Sequence, residues 1–343
     1  MGQSPDSDSY NDNEDGIPFF QGNADFGEKY PTTRKWCNAP TKIAHAEDIL
    51  ISVRAPIGAL NYAKEECCIG RGLAAITPNQ DKVSSEFIYW LLKGKHKELN
   101  LQGTGSTFKA ISRKVLEEIK VPDIELKKQT ELAGNLEKVY SVIQLRKQQL
   151  KELDTLIKAR FVEMFGDPIH NDKGWDTDSV SAVCADIYGG GTPSKAHPEY
   201  YENGDIPWVS SKDMKTDVIT ESQIYINQLG VDNSSAKMVP INSVIMVIRS
   251  GILKHTLPVA INAVPITVNQ DLKVFIPNNR ILTRFLAIQF KMHEADILTG
   301  VRAVTADNIE FETLKTRSII VPPIELQQEY IDFVIQIDKL KLK

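Results

Sequence analysis

The chain is poor in the residues that most metalloproteins and redox enzymes are built on. Its four cysteines, Cys37, Cys67, Cys68 and Cys184, include no CxxC pair. A zinc ribbon or a thioredoxin-like centre requires that pair, so the four are expected to be reduced and structural. The six histidines are scattered, with no HExxH and no pair at metal-ligand spacing. No apolar run approaches the ~20 residues that span a bilayer. The N-terminus is polar and acidic rather than signal-like, which points to a cytoplasmic protein without a membrane partner. Residues 1–28 hold seven acids and no Lys or Arg, and the whole chain carries −5. That total speaks weakly against a nucleic-acid partner, but it averages over distribution. Residues 29–125 carry 15 basic and 11 acidic side chains.

Signatures of chemistry are missing too. A phosphate loop needs GxxxxGK[ST], so that successive N–H groups and a Lys wrap the phosphates. "GGGTPSK" at Gly189–Lys195 puts Pro193 inside the loop and Ser194 ahead of Lys195. A tight turn after a strand is the preferred reading, with Gly supplying unusual backbone angles and Thr-Pro favouring the turn. "GTGST" at Gly103–Thr107 follows a basic helical stretch containing Lys93, Lys95 and Lys97, not the strand a dinucleotide fingerprint needs. An amino-methyltransferase would show an Asn/Asp-Pro-Pro-Tyr/Phe loop, which "DPIH" at Asp167–His170 fails to match. No PD…(D/E)xK nuclease string occurs. A methyltransferase or nuclease with its own catalytic site remains the rival reading.

What the chain does have is itself, twice. "GQSP" (Gly2–Pro5) returns as "GGTP" (Gly190–Pro193), and "DGIPFF" (Asp15–Phe20) as "GDIPWV" (Gly204–Val209). "DILISVRAPIG" (Asp48–Gly58) returns as "SVIMVIRSGIL" (Ser243–Leu253), "IGRGLAAITP" (Ile69–Pro78) as "VNQDLKVFIP" (Val268–Pro277), and "VPDIEL" (Val121–Leu126) as "VPPIEL" (Val321–Leu326). The order is kept while the offset drifts from 188 to 200 residues, as small loop insertions would produce. Two similar tandem domains follow. Each is mixed α/β: Ile49–Val53 and Val244–Ile248 read as buried strands, Phe87–Leu92 and Leu286–Phe290 as amphipathic helix.

After each "VPxIEL" the pattern changes. From Leu126 to Phe165 there is no proline and one glycine. Leu132, Leu136, Val139, Ile143, Leu150, Leu153, Ile157 and Met164 fall on a heptad seam, with Arg146 and Arg160 as polar occupants. Forty residues at 1.5 Å each make a helix of about 60 Å. Leu326, Tyr330, Phe333, Ile337 and Leu340 begin a second, shorter seam, and an antiparallel pair is expected. Gly166 is suited to a left-handed C-cap, and Pro168 cannot continue the helix. The reading is an α+β chain: a domain over 1–125, a long helix over 126–165, a linker over 166–174, a second domain over 175–323 and a second helix over 324–343. Only Met1 precedes "GQSP", whereas about 15 residues precede "GGTP". The first domain is therefore expected to lack its first strand, and the last helix to be underlength.

With "GQSP", "GGTPS", "GDIPWV", "GTGSTFKAI", the two "VPxIEL" strings and "FVEMFGDP" in this order, the chain resembles the DNA-specificity subunits of type I restriction–modification systems. The resemblance spans almost the whole sequence. It implies two target-recognition domains, each reading half of a split double-stranded DNA site, on an antiparallel coiled coil that spaces them. It implies two adenine methyltransferase subunits on that coil and ATP-dependent restriction subunits beside them. S-adenosylmethionine, ATP and Mg would bind in those partners, leaving this chain non-catalytic and without a cofactor or metal of its own. Outward-facing Gln148, Lys151, Glu152 and Lys158 would meet the methyltransferases.

Candidate DNA contacts follow from the repeat. Arg54 and Arg249 each follow a buried strand, where an Arg can bind a guanine bidentately or pin a neighbouring loop. Ser106, Thr107 and Lys109 lie in "GTGSTFK"; Arg302 and Thr305 occupy the matching "TGVRAVTADN". Arg71, Lys195, Lys212 and Lys254 are weaker candidates, since exposed Lys is usually a solvated charge.

Overall fold

The computed structural model of the chain describes residues 1–105, 109–303 and 307–342. Its contacts divide it into two units, Met1–Lys147 and Gln148–Lys343.

In the first unit the strand Ile49–Ser52 lies between Leu60–Tyr62 and Leu73–Ile76, antiparallel to both. Ile49, Leu50 and Ile51 are fully buried, which is why this strand is apolar without alternation. A second sheet orders Tyr10–Asn11, Trp36–Cys37, Ile17–Phe20, Cys67–Ile69 and Ile43–Ala44. Its one parallel pairing sets Phe19 and Phe20 beside Cys68 and Ile69. Helix α1 (Ser85–Gly94) starts where the Ser84 hydroxyl accepts the Phe87 N–H at 3.2 Å. It buries Phe87, Ile88 and Leu92 with Ile49, Ile51, Val53 and Ile111, at about 1.5–3 kcal/mol per large side chain. Short helices α2 (His96–Leu101) and α3 (Arg113–Glu117) follow. Helix α4 then runs unbroken over Leu126–Phe165.

The second unit repeats this plan and adds to it. Val244–Val247 lies between Leu272–Pro277 and Val259–Asn262, with Cys184–Gly189 and Val218–Ile219 at the edges. Trp208 and Val209 run parallel to Thr267 and Val268, matching the parallel pair of the first unit. Helix α5 (Gln228–Asp232) is an insertion; α6 (Thr283–Met292), α7 (Glu294–Thr299) and α8 (Phe311–Thr316) match α1 to α3. Helix α9 covers Ile324–Lys341. Among the described residues, the first unit has no strand in the place of Cys184–Gly189, and Leu73–Ile76 ends its sheet.

Within the second unit the end of α4 packs antiparallel on α9. Arg160 pairs with Glu329 at 3.3 Å, the Tyr330 hydroxyl donates to the Ile157 carbonyl at 3.0 Å, and Lys341 reaches Asp154 at 2.7 Å. Ile157, Met164, Leu326 and Phe333 pack against the core, where Tyr330 is fully buried; Ile337 is buried as well. Leu150 and Leu153 are half-buried. The expected seam departs from the structure in two ways. Leu132, Leu136, Val139 and Ile143 are exposed, as is Leu340. Helix α9 is about 27 Å long at 1.5 Å per residue, too short to line the whole of α4. At its other end the buried face of α4 is Phe161 and Phe165, one position round from the expected Arg160 and Met164. The cause is a third partner: Phe285 of α6 stacks on Phe161 at 5.7 Å and meets Phe165 edge-on at 5.0 Å. Gly166 takes φ +75° and ends the helix as expected.

Candidate nucleic-acid interface

Each unit gathers the same four segments at one end of its sheets, through the same backbone hydrogen bonds. The Gly70 N–H donates to Phe20 O at 2.8 Å, and Asn269 N–H to Val209 O at 2.9 Å. Val53 N–H donates to Gly72 O, and Ile248 N–H to Asp271 O, each at 2.9 Å. Ala55 N–H reaches Lys109 O at 3.0 Å, and Ser250 N–H reaches Asp307 O at 3.1 Å. Thr104 and Arg54 are both bridged to Ala110, so the described ends of the "GTGSTFKA" stretch pair with each other and with the strand end. Arg302 and Arg249 are both backbone-paired to Asn308 in the second unit. No apolar alternation in this stretch is long enough to mark that pairing.

The "GQSP" and "GGTP" segments close the same end. Gly2 N–H donates to Leu73 O at 2.8 Å, and Gly191 N–H to Val268 O at 3.0 Å. The glycines are there for close approach. A Cβ on Gly2 would lie 2.2 Å from Gly70 O, and one on Gly190 1.7 Å from Val268 O. Gly191 O accepts the Trp208 indole N–H at 3.0 Å, and Pro193 O accepts the Tyr201 hydroxyl at 2.6 Å. These are contacts of a turn spent on its own chain, not of a loop that wraps a phosphate.

The frame is shared, but its side chains are not. Arg249 forks onto Asp271, with Nε at 2.7 Å and Nη2 at 2.6 Å from Oδ1, and Asn269 Nδ2 donates to the other carboxylate oxygen at 3.0 Å. Arg249 is thus used to pin a neighbouring loop. Gly72 stands where Asp271 would be, and a Cβ there would lie 2.4 Å from Gln21 O. No acid fits at that position, and among the described residues Arg54 forms no ion pair and is exposed. Lys254 lies 3.8 Å from Asp307, whereas the position matching Asp307 is Lys109, itself exposed. Arg71, at the Gly70–Gly72 turn, is exposed, and its N–H donates to the Ser4 hydroxyl at 3.4 Å. The structure therefore brings Arg54, Arg71 and Lys109 together.

In the second unit Lys212 is exposed on a turn held by Asp213, which accepts from Ser210 N and Oγ at 2.9 and 2.8 Å. Lys195 lines a shallow pocket with Tyr201 and Ile224. Ser106, Thr107 and Thr305 lie outside the described residues, and only the backbone of Arg302 is described. Among the described residues no group of three or more His, Cys, Asp or Glu is placed to hold a metal ion. No helix there is long and apolar enough to cross a membrane.

Sequence reasoning missed a pair of buried amides. Gln129 Oε1 accepts the Ser84 N–H at 3.0 Å, and its Nε2 donates to Lys82 O at 3.2 Å and Ile124 O at 2.6 Å. Gln327 does the same with Leu282 N–H at 2.9 Å, Arg280 O at 3.1 Å and Pro322 O at 2.7 Å. Each is the fourth residue of its helix, and every partner is displaced by 198 residues. The "VPxIEL" strings align at 200, so matching them letter by letter sets the two helices two residues out of register. A glutamine in the first turn of both helices was the available signal.

Two like units, each with loops gathered at one sheet end and each leading into a helix, define a class: tandem binding modules on helical supports. The sequence matches the family model for the type I restriction modification DNA specificity domain over residues 1–155 and 173–343, and the chain belongs to that family. It is 39% identical over 155 residues to the type I restriction enzyme EcoR124I/EcoR124II specificity subunit of Escherichia coli, covering 45% of this chain and 38% of that protein. It is 25% identical over 324 residues to the type I restriction enzyme MjaIX specificity subunit of Methanocaldococcus jannaschii, covering 89% of this chain and 74% of that one. The solved S subunit from M. genitalium has the same fold, with a TM-score of 0.55 at 15% identity over 99% of this chain and 86% of that chain.

Proposed function

We propose that the chain is a non-catalytic specificity subunit that reads a two-part double-stranded DNA site. Residues 1–125 and 175–323 would each read one part, and the helices over 126–165 and 324–343 would set the distance between them. The observation that carries this reading is the shared loop end. One backbone frame is built twice and dressed with different side chains, as expected of two heads reading two different sequences. Arg54, Arg71 and Lys109 are the DNA-facing cations of the first head. Lys195, Lys212 and Lys254 serve the second, with Arg249 bracing its loop. Each head alone offers limited affinity, but joining them makes the second contact intramolecular. A fixed support then imposes a fixed gap between the half-sites.

Two methyltransferase subunits and the ATP-dependent restriction subunits would assemble on the chain in the cytoplasm. S-adenosylmethionine, ATP and Mg would bind in those subunits. The test is to select from a random duplex library on the purified chain with its methyltransferase partners, at several salt concentrations. A split consensus with a constant gap is expected, with affinity that falls as salt rises because phosphate contacts release counterions. Methyl transfer from S-adenosylmethionine by this chain alone, or a selected pool with no split consensus, would overturn the proposal.

A further inference from the structure

Both units are tied to their helices at the same two levels, and nothing in a simple spacer role requires this. The first is the buried glutamine. Gln129 is 1% exposed and Gln327 is fully buried, and each uses its amide oxygen and both amide hydrogens. The amide joins the first turn of the long helix to the N-terminus of α1 or α6, to the turn before that helix, and to the irregular segment that leads into the long helix itself. The second fastening is 11 residues further along each helix, about 16 Å at 1.5 Å per residue. In the first unit Tyr140 of α4 meets Trp90 of α1 edge-on at 5.4 Å, and Lys93 Nζ sits 3.6 Å over the Tyr140 ring. In the second unit the matching residue of α9 is Asp338, gripped by Arg284 of α6. Tyr140 and Asp338 are again 198 residues apart, but their partners are not: Arg284 matches Glu86, so the second fastening has changed both its chemistry and its partner position. One fastening leaves a body free to swing; two, separated along the helix, fix its position and its rotation together.

We infer that Gln129 and Gln327 are positioning residues for two-part recognition: with Tyr140 and Asp338 they fix the angle of each reading head on its helix, and through it the gap between half-sites that the chain accepts. This rests on the two-part reading proposed above. It adds that the gap is set by two joints as well as by helix length.

The experiment uses the full chain with its methyltransferase partners and fluorescein-labelled duplexes built from the selected consensus. The gap is kept or changed by one base pair in either direction, and each half-site is also offered alone. The wild type should prefer its own gap by ten-fold or more. Gln327→Met is expected to lower that preference at least three-fold while half-site binding stays within two-fold, and Gln129→Met should do the same. Arg284→Met provides a further variant at a joint that is about one-third exposed; it should lower the preference in the same sense, to a smaller degree. An unchanged gap preference in all three variants overturns the inference and leaves the two-part reading intact. So does a loss of gap preference matched by an equal loss of half-site binding, which marks local unfolding. A library with no split consensus removes the two-part reading and this inference with it.

Discussion

The loop ends of the two units are built alike and charged differently. Val53 and Ile248 make the same backbone bond to Gly72 and Asp271, yet one strand ends in an exposed Arg54 and the other in an Arg249 pinned by that aspartate. The difference shows where each kind of constraint acts. Backbone hydrogen bonds must be satisfied wherever a segment is buried, so they repeat. Side chains beyond the last buried atom face no such demand and are free to diverge.

Breaking the shared frame should have the largest effect. Gly190→Ala pushes a Cβ into the Val268 carbonyl, which is strand backbone with no room to yield. It should destabilise the second unit by about 3 kcal/mol or more, read as the loss of its unfolding transition in a denaturant titration. Gly2→Ala meets Gly70 O and should act in the same direction on the first unit. A transition unmoved in both variants would show that the two close approaches are not what holds the segments down.

Acid should separate the units next. His293 is buried at the junction of α6 and α7, with Arg317 Nη1 3.5 Å from its Nδ1 and Asp296 beyond. Burial first, and the Arg317 charge second, push it down from 6.5 to about 4. The folded His293 therefore stays neutral where the unfolded one takes up a proton. Its contribution is complete above pH 6.5 and is lost as the pH falls towards 4, with an upper bound of about 3 kcal/mol. The matching residue of the first unit is Lys95, paired with Glu98 at 2.7 Å, so no buried histidine stands there. Hydrogen exchange at pH 7 and pH 4.5 should show the second unit losing protection first. His293→Gln should remove the difference.

How much of this was legible beforehand depends on the length of the signal. The paired strands Ile49–Ser52 and Val244–Val247, helices α1, α4, α6 and α9, and the Gly166 cap all follow from runs of residues or from one residue with a strong conformational preference. The pairing of Thr104 with Ala110 is a single bridge and shows no period. Phe161 and Phe165 were displaced from the expected seam because a heptad count assumes one partner helix, and α6 supplies another. The partners of the arginines depended on a residue about 20 positions away in sequence, Gly72 or Asp271, whose proximity only the fold creates.

Charge at the two loop ends gives a smaller and more specific test. Arg54→Ala should weaken binding to the selected duplex by about 1–3 kcal/mol and relax preference at one base position, as loss of a bidentate base contact would. Arg249→Ala should cost less, because its guanidinium is already engaged by Asp271. Asp271→Asn weakens that grip and should narrow the gap between the two effects. Equal losses from both arginines, unmoved by Asp271→Asn, would mean that the carboxylate does not hold Arg249 away from DNA.

The smallest effect concerns the second fastening of each helix. Arg284 and Asp338 are each about one-third exposed, so solvent screens their attraction and the pair should be worth roughly 0.5 kcal/mol. A double-mutant cycle with Arg284→Met and Asp338→Asn should give that coupling at low salt and almost none at 0.5 M salt, where the Debye length is about 4 Å. The contact of Trp90 with Tyr140 works by ring quadrupoles and area, so its coupling should be about 0.5–1.5 kcal/mol and indifferent to salt. High salt should therefore loosen the second head on its helix and leave the first one held. Equal salt dependence in the two cycles would mean that the ion pair and the aromatic contact do the same work by the same physics, and the contrast between the two joints would vanish.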